Sequence, residues 1–259
     1  MAGKFFAGID IGSTTAKAVL INSRRQVSGQ AVRRSGYDFT AVARQVYDDV
    51  LKLAAVSEAD VAAVVATGYG RRNVEFAGGK RTEILCHARG VHHHFPEPVT
   101  VVDIGGQDNK IIHLGAAGQC LGFSMNRKCA AGTGAFIEEI AYRLDLKLEE
   151  LNRRAEQSRH EVAIGSFCTV FSCSEILVMA RRGVPVDDIV KGMFRSVIKR
   201  VVEMDALEGR VVMTGGVVEY NPIVAVMLGE NLGRTVAMPP HPQLIGALGA
   251  ALIASGLAS

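Results

Sequence analysis

No stretch of this 259-residue chain is long and apolar enough to read as a membrane span. The apolar, uncharged run Leu244 to Ala258 holds 15 residues rich in Gly and Ala. That falls short of the roughly 18 a span needs and reads as a buried helix. Charge of one sign is scarce too. Against 26 acidic residues stand 29 basic ones, a formal +3, too little by itself to imply nucleic acid or an anionic membrane. Met1 to Gly8 is apolar but is cut short by Asp10, which leaves too little for a secretory leader. Five cysteines are an odd number, whereas a secreted disulfide framework pairs its cysteines evenly. The expectation is a cytoplasmic protein in a reducing compartment, its thiols free or metal-bound. What the chain does have is core material: 48% hydrophobic and 21% charged residues fit a globular protein. At roughly 150 residues per domain, the length permits one large domain or two small ones.

The opening reads as a meander of three strands, Phe5 to Ile9, Ala16 to Ile21 and Val27 to Arg33, rich in β-branched residues. Val42, Val46, Val50 and Leu53 then recur at helical spacing within Phe39 to Ala55, with Asp and Lys on the other face. Val61 to Ala66 is a buried-strand run ending in Thr67-Gly68-Tyr69-Gly70-Arg71, and a helix follows over Glu83 to His94. The strand Val99 to Val102 leads to a second Asp-Ile-Gly. This tripeptide occurs at 10–12 and at 103–105. Each copy follows an apolar strand and precedes a polar segment ending in lysine, Lys17 or Lys110, after which a strand resumes. The duplication predicts two related half-domains, each lending one loop to a shared cleft. The second half is more helical: Ala135 to Leu144, about Ser174 to Arg182, and Val186 to Met204. The strand Arg210 to Met213 ends in Thr214-Gly215-Gly216-Val217, with a helix from about Pro222. No Pro/Ser-rich linker interrupts the chain.

Glycine in a tight turn lets the backbone approach a phosphate, and successive N–H groups then point at its oxygens. Around Gly12, the hydroxyls of Ser13, Thr14 and Thr15 add donors and Lys17 adds charge. Gly105, Gly106 and Gln107 form the matching loop. Asp10 and Asp103, at strand ends, suit Mg2+ held through water, because that ion keeps much of its hydration shell. Gly215 and Gly216, with Val217, would let a purine lie against the backbone. A lone Asp-Gly turn can simply close a hairpin, but two copies with a third glycine turn favour a nucleotide. No Gly-x-x-x-x-Gly-Lys-Ser/Thr occurs, and Gly68 and Gly132 lack the third glycine of the dinucleotide fingerprint, at Asn73 and Ile137. A P-loop ATPase and a Rossmann dehydrogenase are therefore disfavoured.

Cys129-Ala-Ala-Gly132-Thr-Gly134 and Cys168-Thr-Val-Phe each lead into a helix, whose unpaired N–H groups favour a thiolate. Two such thiols make half of a four-thiolate site, and a symmetric homodimer would supply the other half. Two buried core cysteines are the plainer alternative.

The order of loops resembles the actin-like ATPase superfamily of sugar kinases, acetate kinases and chaperone ATPases. That resemblance implies an α/β fold of two duplicated lobes, mixed β-sheets flanked by helices, with a nucleotide cleft between them. The first lobe would cover residues 1–100, with the helix 243–259 a candidate to pack back on it. The second would cover 101–259, with the cysteines and the adenosine loop. Cys129-Ala-Ala-Gly-Thr-Gly, Cys168-Thr-Val-Phe, Asp103-Ile-Gly-Gly-Gln-Asp, Thr67-Gly-Tyr-Gly-Arg, Cys86-His-Ala-Arg-Gly and Gly246-Ala-Leu-Gly-Ala-Ala more specifically resemble the ATP-dependent activators of 2-hydroxyacyl-CoA dehydratases. Their wider family includes the ATPase subunits of benzoyl-CoA reductases. The resemblance implies a homodimer bridged by one [4Fe-4S] cluster, with Cys129 and Cys168 from each chain as ligands. It implies that ATP, with Mg2+, changes the angle between the cluster-bearing helices. One low-potential electron then passes to a partner iron–sulfur dehydratase or reductase, with a ferredoxin or flavodoxin as donor. Gln107 or Asp108 would position the attacking water. Three departures stand out: Arg127 occupies a position that is often acidic, Cys173 one that is often Glu, and Asp108-Asn109 varies a stretch near the phosphates. Cys173 is thus a packing residue, or a thiol that tunes the cluster or serves as an alternative ligand. A small-molecule kinase of the same superfamily is the alternative function, and an actin-like scaffold the non-catalytic one.

Other features carry less. Three consecutive histidines, His92 to His94, point in different directions from a helix and, with His87, read as a solvated helix end. Cys86 and Cys120 sit in apolar runs and read as core. Tyr69 and Arg71 either contact phosphate or a helix end, or only shape their turn.

Overall fold

A computed structural model describes residues 4–126, 129–160, 162–165 and 168–257. The chain divides into two compact units. One combines Met1–Pro98, Leu114–Leu121 and Leu244–Ser259, and the other combines Val99–His113 and Gly122–Gln243.

In the first unit, β1 (Phe5–Ile11), β2 (Thr15–Asn22) and β3 (Val27–Arg34) form the meander. Both hairpin pairings are antiparallel, and β4 (Val61–Thr67) then joins β1 in parallel. With the short β5 (Gly79–Lys80), the sheet order is β3-β2-β1-β4-β5. Helix α1 (Phe39–Ala54) starts at Asp38, whose carboxylate accepts from the Ala41 N–H at 2.9 Å. This capping bond satisfies one of the amides that the first turn leaves unpaired. Val42, Val46, Val50 and Tyr47 face inward and share a core with Ala7, Ile9 and Ile11. Since neighbouring strand residues point to opposite faces, Gly8 and Asp10 look the other way. That face is covered by α9 (Ile245–Leu257), which also packs on α2 (Glu83–His94). A Cβ on Gly8 would overlap the Ala247 carbonyl and the Ala251 nitrogen, and one on Gly249 would overlap the Cys86 carbonyl. Strand β1 and α2 therefore take α9 almost backbone to backbone.

The second unit repeats the plan. Strands β6 (Val99–Ile104), β7 (Asn109–Leu114) and β8 (Cys120–Asn126) are followed by β9 (Val211–Thr214), which pairs with β6 in parallel. The order β8-β7-β6-β9 matches β3-β2-β1-β4 strand for strand. Between β8 and β9 lie α3 (Gly134–Arg143), α4 (Leu151–Gln157), α5 (Thr169–Arg181) and α6 (Val186–Met204). After β9 come α7 (Gly216–Tyr220) and α8 (Ile223–Leu232). Phe136, Ile140, Ile176, Phe194 and Val197 are buried with Val102, Ile104 and Ile111 in one core. No helix among the described residues is long and apolar enough to cross a membrane.

Candidate functional site: two Asp-Gly loops and two exposed thiols

Each Asp-Ile-Gly sits where its strand ends. In the first unit Asp10 is buried in β1 opposite Lys17 of β2, and the Lys17 ammonium lies 3.3 Å from its Oδ2. The turn between them is closed by Gly12 N–H to the Thr15 carbonyl at 3.0 Å, and Ser35 Oγ donates to the Gly12 carbonyl at 2.6 Å. Ser13, Thr14 and Thr15 remain half-buried at its rim. A Cβ on Gly68 (φ +90°) would overlap Asp10 Oδ1, and one on Gly246 would lie 3.0 Å from Oδ2 and 3.3 Å from His87 Nε2. Glycines on two elements thus make room for this carboxylate. Tyr69 packs edge-on against Phe39 and Arg71 donates to the Gly68 carbonyl at 2.9 Å, so both shape the turn that follows β4.

The second unit holds the same pair. Lys110 Nζ lies 3.3 Å from Asp103 Oδ2, again seven residues apart, and 2.8 Å from Asp108 Oδ1. Asp103 also accepts from Thr214 Oγ1 at 2.9 Å across β6 and β9. Both partners are buried, and an ionised carboxylate out of water requires this kind of compensation. The Gly105 N–H closes the loop on the Asp108 carbonyl at 2.9 Å. Asp108 is therefore engaged with Lys110, while Gln107 is exposed. Gly215 (φ +100°) passes so close to β6 that a Cβ would overlap the Ile104 carbonyl; a Cβ on Gly216 would meet open space, and Val217 is buried.

The loop carrying Cys129 is fastened to the second Asp-Gly loop. Gly134 N–H donates to the Gly105 carbonyl at 2.9 Å and Ala135 N–H to the Gly106 carbonyl at 2.7 Å. Gly132 and Gly134 lie in this junction in front of α3. Cys129 is exposed five residues before α3, and Cys168 is the exposed residue from which α5 begins. Helices α3 and α5 pack on each other. Cys173, one turn into α5, is buried in the core, and burial followed by the Glu139 charge pushes its thiol pKa up. Burial also pushes Cys86 up to about 12. No group of three or more His, Cys, Asp or Glu side chains among the described residues could hold a metal within one chain. Arg127, the other position singled out near the cysteines, lies outside the described residues.

Two readings of single residues are corrected. Cys120 is exposed rather than core, because it opens β8, the outer strand of its sheet, whose residues are only partly covered. His87 is buried rather than solvated: on α2 it lies on the face toward α9, next to Gly246. The equal seven-residue spacing of Asp10–Lys17 and Asp103–Lys110 was the available signal for the two ion pairs. Thr214, beside the glycine turn, carried no signal of its own for its bond to Asp103.

The chain is 40% identical over 250 residues to the 2-hydroxyisocaproyl-CoA dehydratase activator of Clostridioides difficile, covering 95% of this chain and 93% of that protein. It is 40% identical over 251 residues to the (R)-2-hydroxyglutaryl-CoA dehydratase activating ATPase of Acidaminococcus fermentans, covering 95% of each. The solved structure of the Clostridium difficile activator with bound ADPNP superposes with a TM-score of 0.93 at 38% identity, covering 98% of this chain and 95% of that one. A ROK family glucokinase from Streptomyces griseus, at 13% identity and a TM-score of 0.56 over 97% of this chain and 99% of its own, shares the fold alone. The two mixed sheets flanked by helices are thus the actin-like ATPase fold. Residues 7–254 match the BadF/BadG/BcrA/BcrD ATPase family, and with full-length relatives at 40% identity the chain belongs to that family.

Proposed function

We propose that the chain is an ATP-hydrolysing homodimer that carries one [4Fe-4S] cluster between its two copies and passes a low-potential electron to an iron–sulfur partner. The partner class is a 2-hydroxyacyl-CoA dehydratase or a related reductase, with a ferredoxin or flavodoxin as electron source. The observation that carries the reading is the pair of exposed thiols in a chain of this ATPase family: Cys129 in the loop that leads into α3 and Cys168 at the start of α5, two helices that pack on each other. The donor set fits: thiolates are the ligands such clusters take, and two per chain is half of the four required. Val170 and Phe171, apolar and exposed just after Cys168, suit a surface that a second copy covers. When bound, the cluster supplies a one-electron carrier whose potential follows its charge, hydrogen bonds and exposure.

This chain's residues have separable parts in the reading. Asp10 and Asp103 hold Mg2+ through water, each oriented by its own lysine. The amides and hydroxyls of Gly12, Ser13, Thr14 and Thr15 and the amides of Gly105 and Gly106 bind phosphate. Gly215, Gly216 and Val217 offer the open backbone against which the adenosine lies. Gln107, exposed where Asp108 is engaged, orients the attacking water. Anaerobic purification should give a brown protein with about four irons per dimer, and Cys129→Ser or Cys168→Ser should each abolish it. A colourless, iron-free, monodisperse dimer would sink the reading.

A further inference from the structure

We infer that Asn109 is a positioning residue that couples the second Asp-Gly loop to the Cys129 loop, so that the state of the nucleotide phosphates reaches the Cys129 thiol through this junction. The inference rests on the nucleotide reading of the Asp103 loop and does not require the cluster.

Asn109 is the first residue of β7, directly after the loop, and its side chain points away from solvent at 1% exposure. Its Nδ2 donates to the Gly132 carbonyl at 2.8 Å, a bond between residues 23 positions apart. Its Oδ1 is buried without a partner among the described residues. A buried acceptor left unmade is a cost that an apolar residue of similar size would avoid, so packing alone does not account for an asparagine here. What the amide adds is one directed bond to the segment three residues beyond Cys129.

That bond completes a junction of three. The other two are Gly134 N–H to the Gly105 carbonyl and Ala135 N–H to the Gly106 carbonyl. A peptide unit is planar, with its C=O opposed to its N–H. The same two peptide units therefore fix the Gly106 and Gln107 amides and hold the entrance of α3 by their carbonyls. Rotating either unit to meet or release a phosphate moves the carbonyl on which α3 hangs. Past Cys129 the loop is packed tightly against its neighbours. Gly132 adopts φ +84°, and a Cβ there would lie 2.9 Å from Arg200 Cγ and 3.0 Å from its Cβ, on α6. At Gly134 a Cβ would lie 3.1 Å from Gly106 Cα and 3.2 Å from the Gly105 carbonyl oxygen. A loop gripped on both sides transmits displacement instead of absorbing it.

The test reads the Cys129 thiol directly, in full-length cluster-free protein. Alkylation by N-ethylmaleimide is followed at Cys129 by peptide mass spectrometry with Mg-ADP or a non-hydrolysable Mg-ATP analogue, with exposed Cys120 as internal reference. In the parent protein the two nucleotides should give rates at Cys129 that differ at least about fivefold, the lower end of ordinary coupling between sites, and equal rates at Cys120. Asn109→Ala should bring the Cys129 ratio close to one while nucleotide affinity stays within about twofold of the parent. Asn109→Asp keeps the shape and loses the donor, so it should do the same; either variant that folds decides the matter. A parent ratio of one, or a variant that keeps the parent ratio, overturns the coupling. Iron content is measured separately on anaerobically reconstituted protein. A ratio that responds and collapses in an iron-free chain leaves the coupling standing and removes the cluster, while bound iron with an unchanged variant ratio does the reverse.

Discussion

Asp103 and Lys110 show what a single buried carboxylate demands. Both side chains are about 4% exposed, so each charge would be costly alone; Lys110 also meets Asp108, and Thr214 supplies a neutral donor on the other carboxylate oxygen. The five thiols divide by the same logic of solvent access. Cys86 is buried with its pKa pushed up to about 12, chiefly by burial, and the thiolate is the reactive form. At pH 8, maleimide should modify Cys120, Cys129 and Cys168 in the folded, cluster-free protein and reach Cys86 and Cys173 only after unfolding, read as mass increments over time. The pH consequence follows from the sign. Below pH 9 Cys86 holds its proton folded and unfolded, so its burial is undisturbed. Between pH 9 and 12 only the unfolded state ionises, and stability is lost as pH rises. The urea midpoint should accordingly fall from pH 9 to 11, and a Cys86→Ala background should flatten that part of the decline.

At the scale of elements, periodicity was the reliable signal where one face is buried. Helices over Glu83–His94 and Val186–Met204 have the bounds their apolar spacing predicts, and α1 differs by one residue. Two elements escaped for physical reasons. Helix α4, Leu-Asn-Arg-Arg-Ala-Glu-Gln, buries only Leu151 and Ala155, too few for a stripe to show. Strand β8 lies at the edge of its sheet, and its apolar Leu121 and Phe123 are both exposed, so its pattern resembles neither a buried run nor a half-buried alternation. Helix α5 starts five residues earlier than its apolar spacing suggests, directly after Cys168, because its exposed first turn contains Val170 and Phe171. The two Asp-Gly loops were legible because they are duplicated. The junction between the second loop and Gly132–Ala135 was not, since backbone bonds between distant segments leave no residue pattern. The seam between β1 and α9 yields a sharper expectation. Gly8→Val places three carbons where the Ala247 and Ala251 backbones already lie. It should cost at least about 3 kcal/mol, the upper range of overpacking, measured as a lower urea midpoint with an unchanged slope.

For the whole molecule, the two units draw on the chain differently. The first unit takes its opening residues and its last helix, with Val99–His113 and Gly122–Gln243 assigned to the other. Removing residues 244–259 deletes α9 and bares the face of β1 that carries Gly8 and Asp10, together with the inner side of α2. The truncated protein should express as aggregate, and any soluble fraction should lose nucleotide binding, read by equilibrium dialysis with labelled ADP. Sequence composition placed such a helix at the end, as the run from Leu244, but nothing in that run named its neighbour. Its partner is chosen by small residues on both sides of the contact, a match visible only in three dimensions.

Strand β1 is made long before α9, yet each completes the other. During synthesis the second unit has all of its strands and helices available before α9 exists. The first unit must wait, with one side of its sheet bare, until α9 has been made. Chaperone dependence should therefore concentrate on this sheet of nascent chains, and a stop codon before α9 would leave the first unit unfinished.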